Sequence, residues 1–170
     1  MARIEIPAGD RPEIERVWSI VPDLGTTVGT LSMQVYSDDR LLPWRVREAA
    51  RMTIAHVNGC NVCMGWRMPE LAAAGVDEEL YAHVDDPGHA TYSAPESLAI
   101  EYARVFATDH RSIDDAFFAR LKEQFTDPEI LELTICIGNW MAFGRLTAVL
   151  DLDEACAWAP AHQGQPAAAS

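Results

Sequence analysis

Glu48-Ala49-Ala50-Arg51-Met52-Thr53-Ile54-Ala55-His56-Val57-Asn58-Gly59-Cys60-Asn61-Val62-Cys63 is the stretch that decides how this chain is read. Val46, Ala49, Ala50, Thr53, Ile54 and Val57 recur at helical spacing on one face, and Pro43 stands where a first-turn proline is tolerated. Asn58-Gly59 then breaks the helix, as this dipeptide tends to. A second helix is expected from about Cys60 to Ala74, with Gly75 as its cap. The stretch therefore puts a Cys-x-x-Cys pair at the start of a helix, directly after a tight break in the one before it.

Outward from there the pattern stays helical. Asp77 starts a short helix to Ala82, and Asp85-Asp86-Pro87-Gly88-His89 reads as a loop. Ser93-Ala94-Pro95-Glu96 is a capping box, in which the serine oxygen accepts from a first-turn amide and the glutamate accepts from the serine's N–H. The helix it opens carries Leu98, Ala99, Tyr102, Val105 and Phe106. Another helix is expected over 114–125. Thr126-Asp127-Pro128-Glu129 is a second capping box, opening the longest helix, to about Leu150. Gly138 and Gly144 in it would let a neighbouring helix approach closely. No segment alternates with period two between turns, so the expected fold class is all-α: one helical domain over 1–159 and a frayed tail over 160–170. A shift of 81 positions aligns Glu48 with Glu129, Met52 with Leu133, Thr53 with Thr134, Ile54 with Ile135 and Asn58 with Asn139. This reads as a faint two-fold repeat whose second copy lacks the cysteines.

At 170 residues the chain suits a single domain that needs no staples to fold. A net charge of −13 argues against nucleic acid and anionic membranes as partners, since both need clustered Lys and Arg. Residues 130–150 could span a bilayer by length, but Glu132, Asn139 and Arg145 interrupt them, and they read as a buried helix. That helix is apolar over most of its circumference, more than one small core needs, which points to an oligomer. Met1–Pro7 has no apolar core of a signal peptide, so the expected compartment is reducing and cytoplasmic. There, the four cysteines are not a structural disulfide framework.

Cys60 and Cys63 carry the strongest chemical signal. Their spacing brings the thiols close enough to bridge, and a helix start favours thiolate, the reactive form. The residues alone leave three readings open: a redox pair, two core cysteines, or half of a zinc site. Zinc lacks support, because Cys136 and Cys156 stand apart and no second ligand pair has the right spacing. A thioredoxin-like site lacks its βαβ surroundings. Cys136, among Thr134, Ile135 and Ile137, reads as an inert buried thiol. No cofactor or metal is expected.

Glu48, twelve positions before Cys60, together with Asn58-Gly59-Cys60-Asn61-Val62-Cys63, resembles the signature of the alkylhydroperoxidase D-like branch of the carboxymuconolactone decarboxylase family. The resemblance takes in Leu42-Pro43, Ala74-Gly75-Val76-Asp77, the run from Phe125 to Thr134, and Arg145-Leu146, so it covers roughly residues 40 to 150. It implies an all-helical bundle assembling as trimers or hexamers. It implies a thiol peroxidase in which Cys63 attacks a hydroperoxide, Cys60 resolves the resulting sulfenic acid, and Glu48 belongs to a proton relay. It also implies a thiol or dithiol protein as reductant.

The chain departs from that family at two places. Arg67 stands where the motif carries a histidine four residues after the second cysteine, and Asn61-Val62 fill a middle that holds a histidine in the best-known members. Arginine keeps its proton, so Arg67 is expected to favour the Cys63 thiolate by charge, or to bind an anionic substrate, without shuttling protons. His56, on a face similar to that of Glu48, is the candidate replacement. Read without the resemblance, Glu48 is a surface carboxylate between Arg45 and Arg51; with it, Glu48 is buried or partly buried and faces the cysteines. Trp44 and Trp66 read as core or interface aromatics. The alternatives are a decarboxylase-like lyase or isomerase acting on a small carboxylated compound, with Arg67 as its clamp, and a non-catalytic scaffold.

Overall fold

Pro43 caps helix α3 (Trp44–Asn58), the element around which the computed structural model is built. Residues 2–152 are described; Cys156 and the tail at 160–170 lie outside them. The other helices are α1 (Glu13–Trp18), α2 (Pro22–Val35), α4 (Asn61–Gly65), α5 (Glu78–Ala82), α6 (Ala94–Asp109), α7 (Asp115–Gln124) and α8 (Asp127–Leu150), with 3-10 turns at Pro69–Ala74 and His110–Ser112. The described residues contain no strand, and the fold is all-α as the sequence indicates. Both capping boxes form, at Ser93 with Glu96 and at Thr126 with Glu129.

The sequence marks one apolar face on α3, yet every residue from Val46 to Ala55 is buried. The helix separates two cores. Ala50 and Ile54 pack with Leu98, Leu121, Leu133 and Ile137 on one side. Ala49 and Met52 pack with Leu71, Leu80, Val84 and Ile100 on the other. Polar side chains on α3 are thus enclosed as well: Arg47, Glu48, Arg51 and Thr53 are each 3% exposed or less.

α3 and α8 run in the same direction. Glu132, early in α8, accepts hydrogen bonds from Leu41 N and Leu42 N, each at 3.0 Å. At the other end Asn58 Nδ2 donates to the Trp140 carbonyl at 3.4 Å. Gly144 makes this approach feasible, because a Cβ there would collide with Asn58 Nδ2; Gly138 has no such neighbour.

Two local expectations change. The helix expected from Cys60 to Ala74 stops at Gly65, and Trp66 and Met68 are extended before the 3-10 turn that Pro69 begins. The cause is Pro69: it lacks an N–H, and it pushes the residue before it out of the helical region. The N-terminal region also forms the pair α1 and α2, for which no individual helices are legible in the sequence. Pro22 opens α2, and a Cβ at Gly25 would collide with the Trp18 carbonyl, so a glycine fits where the two helices meet.

Candidate active site

Gly59 has φ 63°, the left-handed region that favours glycine. Its N–H donates to the His56 carbonyl and the Cys60 N–H donates to the Ala55 carbonyl, both at 3.0 Å. These bonds form a Schellman cap, which ends α3 and turns the chain back on itself. Cys60 thereby becomes the N-cap of α4, and its Sγ accepts from the Cys63 N–H at 3.2 Å. A disulfide joins Cys60 and Cys63, whose Cα atoms are 5.2 Å apart, within the usual range for a bridge. Because α4 has only five residues, its dipole is a smaller influence on the thiols than a long helix would provide.

Behind Cys63 lies a buried polar cluster. Arg51 donates from Nε to both Glu48 oxygens, at 2.9 and 3.0 Å, and from Nη2 to Glu48 Oε2 at 2.8 Å. From Nη1 it donates to the Cys63 carbonyl at 2.8 Å. The Tyr81 hydroxyl donates to Glu48 Oε2 at 2.8 Å. Burial pulls Arg51 toward losing its proton, but the adjacent Glu48 carboxylate outweighs this and the guanidinium is held more firmly protonated than usual. Burial, reinforced by Glu48, pushes the Tyr81 hydroxyl up, so it stays a donor.

Glu48 is therefore buried, as the resemblance implies, and it is tied to the cysteine segment through Arg51. Arg51 and Tyr81 are not marked as site residues by the sequence. Arg51 looked like one side of a surface ion pair, and nothing local marks Tyr81, which reaches Glu48 from α5. Arg45, the other flanking arginine, turns to Glu96, 2.6 Å away.

Arg67 is not one helical turn from Cys63, because α4 has ended before it. It pairs with Glu78 at the surface at 2.7 Å, donates to the Met64 carbonyl at 2.6 Å, and lies 4.1 Å from the Tyr81 ring centroid. Arg51, not Arg67, is the arginine that bonds the Cys63 backbone, and Arg67 lies against the Tyr81 ring from outside. His56 turns to Asp85, with Nδ1 3.0 Å from Oδ2, and does not line the cavity that Cys63 faces. Cys136 is buried and unbridged; burial pushes its thiol up to about 11. No cluster of three metal-ligating side chains occurs among the described residues.

That cavity, of about 120 Å³, lies between α3, α8 and the N-terminal helices. Cys63 lines it and Cys60 does not. Its walls are aromatic: Trp18, Tyr36, Trp66, Trp140 and Phe143. Tyr36 meets Trp66 edge-on at 5.3 Å and tilts toward Trp140 at 6.4 Å, while Trp18 meets Phe143 edge-on at 5.7 Å. Trp66 is thus a wall of the site, whereas Trp44 is held by Asp38 and by the Arg47 guanidinium stacked on its ring.

The fold is that of AhpD-like helical proteins. A peroxidase-related protein from Silicibacter sp. TM1040 superposes with a TM-score of 0.71 at 13% identity, over 91% of this chain and 94% of that one. A protein of unknown function from Agrobacterium tumefaciens, named as a candidate antioxidant defence protein AhpD, superposes with a TM-score of 0.68 at 20% identity, over 91% and 98%. The debrominase Bmp8 superposes at 0.69 and 18% identity, over 82% and 75%. By sequence, the chain is 29% identical over 108 residues to the uncharacterised protein YnjA of Escherichia coli (strain K12). That match takes in 63% of this chain and 59% of YnjA, so the chain spans well under two thirds of that relative's length. No protein-family model matches the chain.

Proposed function

We propose that the protein is a dithiol peroxidase in which Cys63 attacks a hydroperoxide delivered through the aromatic cavity. The observation that carries this reading is that Cys63, and not Cys60, lines the cavity while sitting within bridging distance of Cys60. In the reduced protein the Cys63 thiolate takes the terminal oxygen of the hydroperoxide, breaking the O–O bond. Cys63 becomes a sulfenic acid and the alkoxide leaves, taking up a proton. The Cys60 thiol then attacks the Cys63 sulfur, forming the disulfide and releasing water. Two electrons pass from the dithiol to the peroxide, and an external thiol or dithiol protein returns them by exchange. Glu48, Arg51 and Tyr81 hold the Cys63 backbone and a fixed charge distribution behind it.

A lyase acting on a carboxylated substrate has less support. Arg51 is the cation lining the cavity, and its charge is matched by Glu48. Arg67, the clamp that reading would use, is at the surface with Glu78.

One equivalent of hydroperoxide added to the reduced protein should produce the Cys60–Cys63 disulfide, read by peptide mass spectrometry. Cys136 should stay unalkylated in the folded protein at pH 8. A reduced protein that keeps all four thiols after peroxide contradicts the proposal.

We also propose that copies of the chain assemble, as trimers or hexamers. Among the described residues α8 alone is long and apolar enough to cross a membrane, and it packs on α2, α3, α6 and α7. Leu131, Ile135 and Val149 on α8 and Leu24 on α2 nevertheless remain 46–67% exposed, and covering them with another copy would remove that apolar area from water. Light scattering at micromolar concentration should give a multiple of the 18.8 kDa chain mass; a clean monomer would refute assembly.

A further inference from the structure

Attack of a thiolate on a hydroperoxide expels an alkoxide, a strong base whose departure is eased when a proton reaches it as the O–O bond breaks. Among the described residues, the ionisable side chains that line the cavity are Tyr36, Arg51 and Cys63. Cys63 is the proposed nucleophile, and Arg51 keeps its protons in its bonds to Glu48. Of the cavity's aliphatic hydroxyls, Thr147 Oγ1 donates to the Gly144 carbonyl at 3.0 Å, and Ser32 is no stronger an acid than the alcohol being formed. A phenol is far stronger than either.

Tyr36 is also held in place. It ends α2 as its C-cap. The buried Arg47 guanidinium donates from Nη1 to the carbonyls on either side of it, Val35 at 3.1 Å and Ser37 at 3.0 Å. Its ring contacts Trp66 and Trp140, both walls of the cavity. Arg51, whose Nη1 bonds the Cys63 carbonyl and whose guanidinium carbon lies 5.0 Å from the Trp66 ring centroid, interacts electrostatically with Tyr36. A phenolate formed at Tyr36 is therefore opposed by a cation.

We infer that Tyr36 is a catalytic residue: its phenol gives the proton to the alkoxide that leaves when Cys63 takes the terminal oxygen of a hydroperoxide. The inference rests on the proposed function. Thiolate and hydroperoxide yield sulfenic acid and alcohol, the phenol becomes a phenolate, and solvent returns to it the proton that Cys63 gave up on ionising.

The test compares two oxidants that differ in leaving group. tert-Butyl hydroperoxide expels an alkoxide and needs the proton; peracetic acid expels acetate, a weak base that does not. Formation of the Cys60–Cys63 disulfide in the reduced full-length protein is followed through a single turnover by acid quench and peptide mass spectrometry. Tyr36→Phe should slow the reaction with tert-butyl hydroperoxide by about a hundred-fold and that with peracetic acid by less than about three-fold. Iodoacetamide should alkylate Cys63 in the variant at the parent's rate, showing that the thiolate and its surroundings are kept. Equal slowing with both oxidants, or an equal fall in alkylation, would make Tyr36 a structural residue and overturn the inference. No slowing with either oxidant would overturn it too, since the proton would then come from water. A parent protein that tert-butyl hydroperoxide leaves reduced removes the proposed function, and the inference with it, a result separable from any failure of the variant alone.

Discussion

Arg51→Met is expected to destabilise the protein by about 3–5 kcal/mol, the usual cost of breaking a buried ion pair by removing one partner. The side chains of Arg51 and Glu48 are 4% and 1% exposed, so water cannot take the place of the lost cation. The substitution would strand the Glu48 carboxylate with Tyr81 as its remaining partner, and would remove donors from the Cys63 and Trp66 carbonyls. For a domain of this size the loss corresponds to a fall of about 6–20 °C in Tm. Glu48→Leu should cost a similar amount, because it leaves a guanidinium buried without a counter-charge. The double variant Glu48→Leu/Arg51→Met should be more stable than either single one, since apolar replacement of a whole buried pair is often neutral or better. Urea unfolding of the four proteins gives the coupling energy directly. A single Arg51→Met variant within about 1 kcal/mol of the parent, in the range of exposed pairs, would mean that the cluster is wetter and weaker than its geometry indicates.

The second large effect concerns turnover. Cys63→Ser should lower hydroperoxide consumption by about a thousand-fold or more, to the background rate, because an unactivated hydroxyl is a very weak nucleophile near neutral pH. Cys60→Ser should behave differently. It keeps the attacking sulfur at the cavity and loses only the resolving thiol, so it should consume one equivalent of hydroperoxide quickly and then stop. Identical behaviour of the two variants in a single-turnover assay would remove the division of labour between the cysteines.

The parts of this structure that the sequence reveals are those set by neighbouring residues. The two capping boxes and the Asp77 cap each depend on residues three apart, the Gly59 break on an adjacent pair, and each forms as read. Pro69 was equally local and marks the end of the cysteine helix; extending that helix to Ala74 placed Arg67 a turn from Cys63, where it is not. The remaining differences are non-local. Whether Arg51 is a surface or a buried cation depends on α4, α5 and the 3-10 turn folding over α3, and a helical spacing of three from Glu48 is the same in both cases. Tyr81 reaches Glu48 across 33 positions. The cavity draws its walls from α1, α2, α3 and α8, and α2 in particular, with Gly25, Gly29 and three threonines, has too little helix propensity to stand out before it packs. The cysteines are legible as a pair at bridging distance, and the resemblance names Cys63 as the attacking one; that Cys63 lines the cavity and Cys60 does not comes from the assembled helices.

On the proposed mechanism Cys63 is the sulfur that meets the peroxide. Reduced Cys60→Ser protein, given one equivalent of cumene hydroperoxide in the presence of dimedone, should carry a dimedone adduct on the Cys63 peptide, identified by mass spectrometry. The reciprocal Cys63→Ser protein should carry none on Cys60. An adduct on Cys60 in the reciprocal variant as strong as that on Cys63, or no adduct on Cys63 at all, would contradict the account.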